Sequence, residues 1–141
     1  MQHLLHNLYV SGQIQPDELP LLRARGITQI ICHRPDGEGA TQPAFAAIAA
    51  AAAAEGIHTL HLPMKGGLFP PEVIAATHEA LASGEPTLMF CKSGMRSTLA
   101  WALGAAAAGT PVDELVARAA ACGYDLEPHR ALLVAAAGES L

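Results

Sequence analysis

Aromatic side chains are nearly absent, at 4% of the chain, and charged ones make up only 15%, so neither ring packing nor a strongly charged face can organise this protein. Basic residues are outnumbered, 8 against 13 acidic, for a net charge of −5 and a pI near 5.7. Such a balance speaks against nucleic acid and against an anionic membrane surface as partners, and any anion site must be local. Cysteine is scarce as well. Cys32, Cys91 and Cys122 are odd in number and irregularly spaced, which argues against a disulfide framework and for a reducing, cytoplasmic setting. Cys32 and Cys122 are expected to be inert core thiols. His3, His6, His33, His58, His61, His78 and His129 form no set with metal-ligand spacing; a strand would put His58 and His61 on opposite faces. No metal and no other cofactor is expected. The alanine run 49–54 stops at Glu55-Gly56, too short for a membrane span. Met1 to Leu8 lacks the basic-then-apolar order of a signal peptide.

What is present is a 51% hydrophobic composition dominated by alanine, which implies close helix contacts, in a length that suits one domain over residues 1–141. Leu8 to Ser11 reads as a strand closed by Gly12. A helix follows from Pro16-Asp17 to Arg25, with its acidic residues at the start, Arg23 and Arg25 at the end, and Pro20 tolerable only in the first turn. Thr28 to Cys32 is a β-branched strand, and Pro35-Asp36-Gly37 is a turn signal. Further helices are predicted over 43–55, 71–83, 97–108, 112–122 and 128–137, with strands at 57–62 and 87–90. Strand and helix alternate four times, which predicts an α/β fold with a mainly parallel central sheet flanked by helices on both faces.

The stretch Thr87-Leu-Met-Phe-Cys91-Lys-Ser-Gly94-Met-Arg96-Ser97 carries the chemistry. Thr87 to Phe90 has the apolar character of a strand buried on both faces. It delivers Cys91 to the carboxyl end, where ligands bind in open α/β sheets. Lys92, Ser93, Gly94 and Met95 can curl so that their amides point inward, Gly94 supplying the backbone freedom. Ser97 reads as the N-cap of the following helix, whose positive end faces the curl. A thiol there, beside Arg96, is favoured as the reactive thiolate. Arg96 would grip two oxygens of a tetrahedral anion. Cys91, Arg96 and Ser97 are the expected catalytic residues; Lys92, Ser93, Gly94, Met95 and Arg96 are the expected anion-binding set. Lys65 and Lys92 could enlarge the positive field. Arg34 could line the mouth or hold the Asp36 loop by an ion pair, and Asp36 could serve as a proton donor or as an ordinary turn residue.

Ser11-Gly12-Gln13 with Pro16, Arg34-Pro35-Asp36-Gly37, Leu62-Pro63 and Cys91-x-x-Gly94-x-Arg96-Ser97 together make the chain resemble the phosphatase-like domain of beta-lactamase hydrolase-like proteins. Relatives in this group are often named as sulfur transferases. The resemblance implies a fold similar to dual-specificity protein tyrosine phosphatases. It also implies a functional link to a persulfide dioxygenase-like enzyme, to which some relatives are fused.

Two departures from the phosphatase pattern bear on the reaction. Tyrosine phosphatases place five residues between the nucleophilic cysteine and the arginine, and this chain has four, the shorter length used by rhodanese-type sulfurtransferases. The loop from Leu62 to Pro71 also lacks the carboxylate that such phosphatases use to protonate the leaving group. The expected function is therefore sulfur transfer: Cys91 takes sulfane sulfur from thiosulfate or a persulfide and passes it to an acceptor thiol. The alternative is phosphatase chemistry through a Cys91 thiophosphate, and a third reading is an anion-binding module without catalysis. The expected partners are a small anionic substrate and a thiol acceptor.

Overall fold

The structure is a computed structural model that describes residues 1–139 of the chain. Five strands form one sheet: β1 (Gln2–Leu5), β2 (Leu8–Ser11), β3 (Gln29–Cys32), β4 (His58–His61) and β5 (Thr87–Phe90). Their order is β1-β2-β5-β3-β4, with β5 in the middle. Only β1 with β2 is antiparallel; β2 with β5, β5 with β3 and β3 with β4 are parallel. The parallel α/β sheet expected from the alternation is thus present. The β1 strand was not foreseen, because Gln2-His-Leu-Leu carries no clear period-two pattern and pairs only through the tight turn at His6-Asn7.

The helices are α1 (Leu19–Ala24), α2 (Phe45–Ala54), α3 (Pro71–Leu81), α4 (Met95–Ala107), α5 (Val112–Ala121) and α6 (Arg130–Glu139). The first predicted helix begins as a 3-10 turn over Pro16–Glu18, so Pro20 falls at an early position of α1 that needs no amide donor. The final one likewise begins as a 3-10 turn over Glu127–His129. Two cores result. Val10, Ile31 and Met89 face Leu99, Leu103, Leu115 and Leu133 on one side of the sheet. Ile30, Leu88 and Phe90 face Leu19, Leu22 and Ile48 on the other. All four residues of β3 and of β5 are buried, as strands covered on both faces must be. Edge strand β4 instead alternates between exposed and half-buried positions.

The parallel register aligns Ser11 with Phe90, Phe90 with Cys32 and Cys32 with His61, so the loops after β2, β5, β3 and β4 all leave along one edge. That edge carries the site. Among the described residues, no helix is long and apolar enough to cross a membrane.

Candidate active site

Cys91 lies directly after β5 and is fully buried. Its Sγ accepts the Gly94 N–H at 3.1 Å. Gly94 has φ +100, and it, not Ser97, is the N-cap of α4, which begins two residues earlier than the sequence suggests, at Met95. A left-handed turn at glycine reverses the chain tightly enough to start the helix without a side-chain cap. Thr98 Oγ1 closes the turn by donating to the Gly94 carbonyl at 2.8 Å.

The curl is narrower in its capacity than expected. The Gly94 amide is occupied by the sulfur, and the Met95 amide donates to Ser93 Oγ at 3.3 Å. The amides of Lys92, Ser93, Arg96 and Ser97 have no acceptor among the described residues. The positive end of a 13-residue helix lies behind these four amides, an arrangement that favours negative charge beside it. Gly12 supports the curl from the side. A Cβ there would come within 2.8 Å of the Lys92 carbonyl oxygen, and the neighbouring Gln13 amide donates to that oxygen at 3.2 Å. The Ser11-Gly12-Gln13 segment is therefore a brace for the loop.

Arg96 is held on three of its five N–H groups. Nη1 and Nη2 donate to the two carboxylate oxygens of Glu38, each at 2.9 Å, and Nη1 also donates to the Met64 carbonyl at 2.7 Å. What remains is the side-on pair, Nε–H and the second Nη2 hydrogen, the two-pronged face through which the guanidinium also interacts with the Cys91 sulfur. The Glu38 bond, followed by attraction to the Cys91 sulfur, raises the Arg96 pKa further. Glu38 in turn is lowered from the usual carboxylate value because Arg96, and then Arg34, donate to it. It is an ionised acceptor.

Arg34 takes both roles that the sequence left open, and its ion pair to the Asp36 loop is made with Glu38. It is buried, its Nε donates to Glu38 at 3.0 Å and its Nη1 to Gln13 at 3.0 Å, and it lines the mouth. It does not pair with Asp36. The Asp36 carboxylate instead accepts the Phe45 N–H at 2.8 Å and stands in for the missing side-chain cap of α2. The mouth is a depression of about 470 Å³ lined by Arg34, Glu38, Gly66, Lys92, Ser93, Met95 and Arg96. Lys92 is thus at the mouth; Lys65 is exposed and outside that lining.

Ser97 has moved inward rather than capping the helix. It is fully buried, and its Oγ lies 2.8 Å from His33 Nδ1, while His33 Nε2 lies 2.9 Å from Thr77 Oγ1. Neither the Ser97 nor the Thr77 hydroxyl has another acceptor among the described residues, so the two flank the ring's one donor and one acceptor nitrogen. The neutral imidazole donates to one of these hydroxyls and accepts from the other. Burial, and then the charge of Arg96, push the His33 pKa down to about 3, so the ring is neutral. His33 follows β3, and its amide donates to the Phe90 carbonyl at 2.9 Å, which sets it beside Cys91.

The remaining sulfur and histidine positions are peripheral. Cys32 is buried, and burial pushes its thiol up to about 12. Cys122 is only half-buried and donates to the His3 carbonyl, so it is not the core thiol expected. His61 stacks on Phe45 with ring centroids 4.4 Å apart, and His58 pairs with Glu85 on the opposite face of the strand. No group of three or more metal-binding side chains occurs among the described residues.

Sequence reasoning missed His33, Glu38 and Tyr124, whose hydroxyl donates to the Ser93 carbonyl at 3.0 Å. Glu38 carried a weak signal, four residues after Arg34 in a turn that holds the Pro-Asp-Gly sequence. His33 carried a better one, a polar residue extending an apolar strand at the edge where Cys91 emerges. Tyr124 carried none.

With this geometry in place, three comparisons bear on the fold. Residues 1–108 match the family model for the phosphatase-like domain of beta-lactamase hydrolase-like protein. A beta-lactamase hydrolase-like protein of Xylella fastidiosa (strain Temecula1 / ATCC 700964) is 37% identical over 121 residues, which is 84% of this chain but only 28% of that protein. A solved Neisseria meningitidis protein, named as a candidate phosphatase, superposes with a TM-score of 0.84 at 34% identity and covers 96% of both chains. The structure named Tk-PTP in the active form has a TM-score of 0.71 at 16% identity, covers 98% of this chain and 95% of its own, and shares the fold. The fold is that of the cysteine phosphatases, with a cysteine nucleophile position at the head of the central helix.

Proposed function

Since the chain belongs to the family of phosphatase-like domains of beta-lactamase hydrolase-like proteins, we propose that it is a cysteine-dependent phosphatase acting on phosphate monoesters with a good leaving group. The carrying observation is the position of the Cys91 sulfur against the Gly94 amide, beside four open N–H groups and one open face of Arg96. A phosphoryl group offers several oxygens to such donors. The charge that develops on them during transfer is stabilised by dipoles already aimed at it. The Cys91 thiolate attacks phosphorus; the S–P bond forms as the P–O bond to the leaving group breaks, and that oxygen departs with the electron pair. Water then attacks the thiophosphate, giving inorganic phosphate and restoring the thiolate.

The substrate class follows from the absence of a carboxylic acid at the mouth among the described residues. Asp36 is occupied at the start of α2, and Glu38 is ionised between two arginines. A phenol-type leaving group departs without a proton, whereas an alkyl alcohol needs one.

Sulfur transfer, the function expected from the sequence, becomes the second reading. The observation that favours it is the four-residue spacing from Cys91 to Arg96. The ranking changes because the mouth holds the donors of an oxyanion site and because the similar proteins of known structure are phosphatase-like. The deciding experiment measures release of phosphate from an aryl phosphate, alongside intact mass after incubation with thiosulfate. Aryl phosphate turnover, lost in Cys91→Ser, supports the first reading. A one-sulfur adduct on Cys91 with no phosphate release overturns it in favour of the second.

A further inference from the structure

The peptide unit between Ser93 and Gly94 is bonded at both ends. Its N–H donates to Cys91 Sγ at 3.1 Å, and its carbonyl accepts the Tyr124 hydroxyl at 3.0 Å. In a trans peptide these two groups point in opposite directions, so fixing one fixes the other. We propose that Tyr124 is a positioning residue that selects the orientation of this peptide and thereby aims the Gly94 N–H at the Cys91 sulfur.

The backbone does not make that choice by itself. Rotating the peptide by half a turn changes ψ of Ser93 and φ of Gly94, and glycine takes either sign of φ without steric cost. In the rotated state the carbonyl oxygen faces the sulfur, so a thiolate loses a donor and meets a negative dipole. The Tyr124 hydroxyl favours the observed state, in which its proton has the Ser93 carbonyl as acceptor; in the rotated state that proton has no acceptor among the described residues. Tyr124 occupies that place closely: a Cβ on Gly94 would fall 2.1 Å from its hydroxyl oxygen. The ring thus fills the space that glycine leaves empty, and each residue requires the other.

Tyr124 is itself anchored. It stands in the turn that ends α5, where its amide donates to the Ala119 carbonyl at 2.9 Å, and Ala119 is fully buried in the core shared with α4. Burial, and then the negative sulfur, push the phenol pKa upward, so the hydroxyl keeps the proton that it donates. The residue lies beyond the 1–108 region that matches the family model, so the contact is supplied by the segment that follows the matched part.

Tyr124→Phe keeps the ring and removes the donor, and the Gly94 amide in a nitrogen-15-labelled protein reports the outcome. In the phenylalanine variant its proton resonance is expected to move toward the position it takes in Cys91→Ala, where the sulfur acceptor is gone. Aryl phosphate kcat/KM is expected to fall about 3- to 10-fold, the effect of losing one neutral hydrogen bond. A thermal midpoint within about 2 °C of the unsubstituted protein shows that packing is retained. An unmoved Gly94 resonance in the folded variant overturns the proposal, whatever happens to turnover. The turnover arm alone rests on the phosphatase reading: if no phosphate ester is hydrolysed, the resonance still decides the role of Tyr124.

Discussion

The loop after β5 and the loop after β3 meet over the same arginine, yet they are built on different principles. The β5 loop works through its backbone: Gly94 serves the sulfur, and the amides of Lys92, Ser93, Arg96 and Ser97 stay open. The β3 loop works through side chains that each reach a different element. His33 goes to Ser97 and Thr77, Asp36 to the first amide of α2, and Arg34 and Glu38 join Gln13 to Arg96. One loop presents its open amides; the other sets the position of Ser97, the charge balance and the free face of the arginine. A local motif thus depends on a non-local frame.

The largest expected effect tests whether Arg96 acts through its shape or only its charge. Arg96→Lys keeps the charge but loses both the open side-on face and the grip on Glu38. Loss of two charge-assisted bonds to developing charge predicts about 2–4 kcal/mol, or roughly 30- to 1,000-fold in turnover. Alkylation of Cys91 by a neutral reagent should persist, because the helix end and the lysine remain. Near-normal turnover would reduce Arg96 to a source of positive field and remove the reason for the β3 loop to hold it.

The next test concerns the frame itself. His33 has an ordinary value of 6.5 and is held at about 3 by burial and by Arg96. Between these values the unfolded chain binds the proton and the folded one does not, so stability rises with pH. As the pH falls below about 6.5, stability should therefore decline, with a limiting slope of about 1.4 kcal/mol per pH unit for this one group. Urea unfolding across pH 4 to 7 reads the slope, and an NMR titration shows whether the His33 ring stays neutral. A ring that protonates near its ordinary value in the folded protein would show that His33 is not held neutral between Ser97 and Thr77.

The sequence made the two loops unequally legible. Cys91, Gly94 and Arg96 stand within six residues between a buried strand and a helix, so their juxtaposition needs no tertiary knowledge. The order of strands and helices was readable for the same reason, since Gly26, Gly56, Gly84 and Gly123 mark element ends. Ser97 misled because a serine near a helix start is usually a cap; here the left-handed Gly94 takes that place, and the buried imidazole of His33 pulls the hydroxyl inward. Glu38 lies 58 residues from Arg96 and Tyr124 31 residues from Ser93, and nothing in their local sequence encodes those two partners. Loop length favoured sulfur because it counts residues between Cys91 and Arg96; it cannot report which amides remain open.

Glu38 gives the comparison a sign. If it orients Arg96, Glu38→Gln leaves the arginine with an amide that cannot accept at both positions, and aryl phosphate turnover falls about tenfold, near 1.4 kcal/mol. If the carboxylate instead competes with the substrate anion, the same change raises affinity for inorganic phosphate and raises turnover. The orienting role is expected, because Glu38 uses the end-on face of Arg96 and leaves the side-on face open. Phosphate inhibition constants and kcat measured on one variant separate the two outcomes.

The smallest effect belongs to Asp36, the candidate proton donor that the structure places elsewhere. Its carboxylate accepts the Phe45 amide nine residues ahead, and Ala44, at the N-cap, offers no side-chain acceptor. Asp36→Ala should therefore act as the loss of a helix cap and lower stability by about 1 kcal/mol. Turnover of an aryl phosphate should be unchanged, because the carboxylate is committed to α2 and contributes no proton at the mouth. The pH profile provides the sharper control. A general acid contributes a limb of falling activity at high pH, and removing it flattens that limb while lowering the plateau. An unchanged profile with a lowered thermal midpoint assigns Asp36 to the frame alone. A flattened limb in the alanine variant would move it into the reaction and would extend the substrate class to alkyl phosphates.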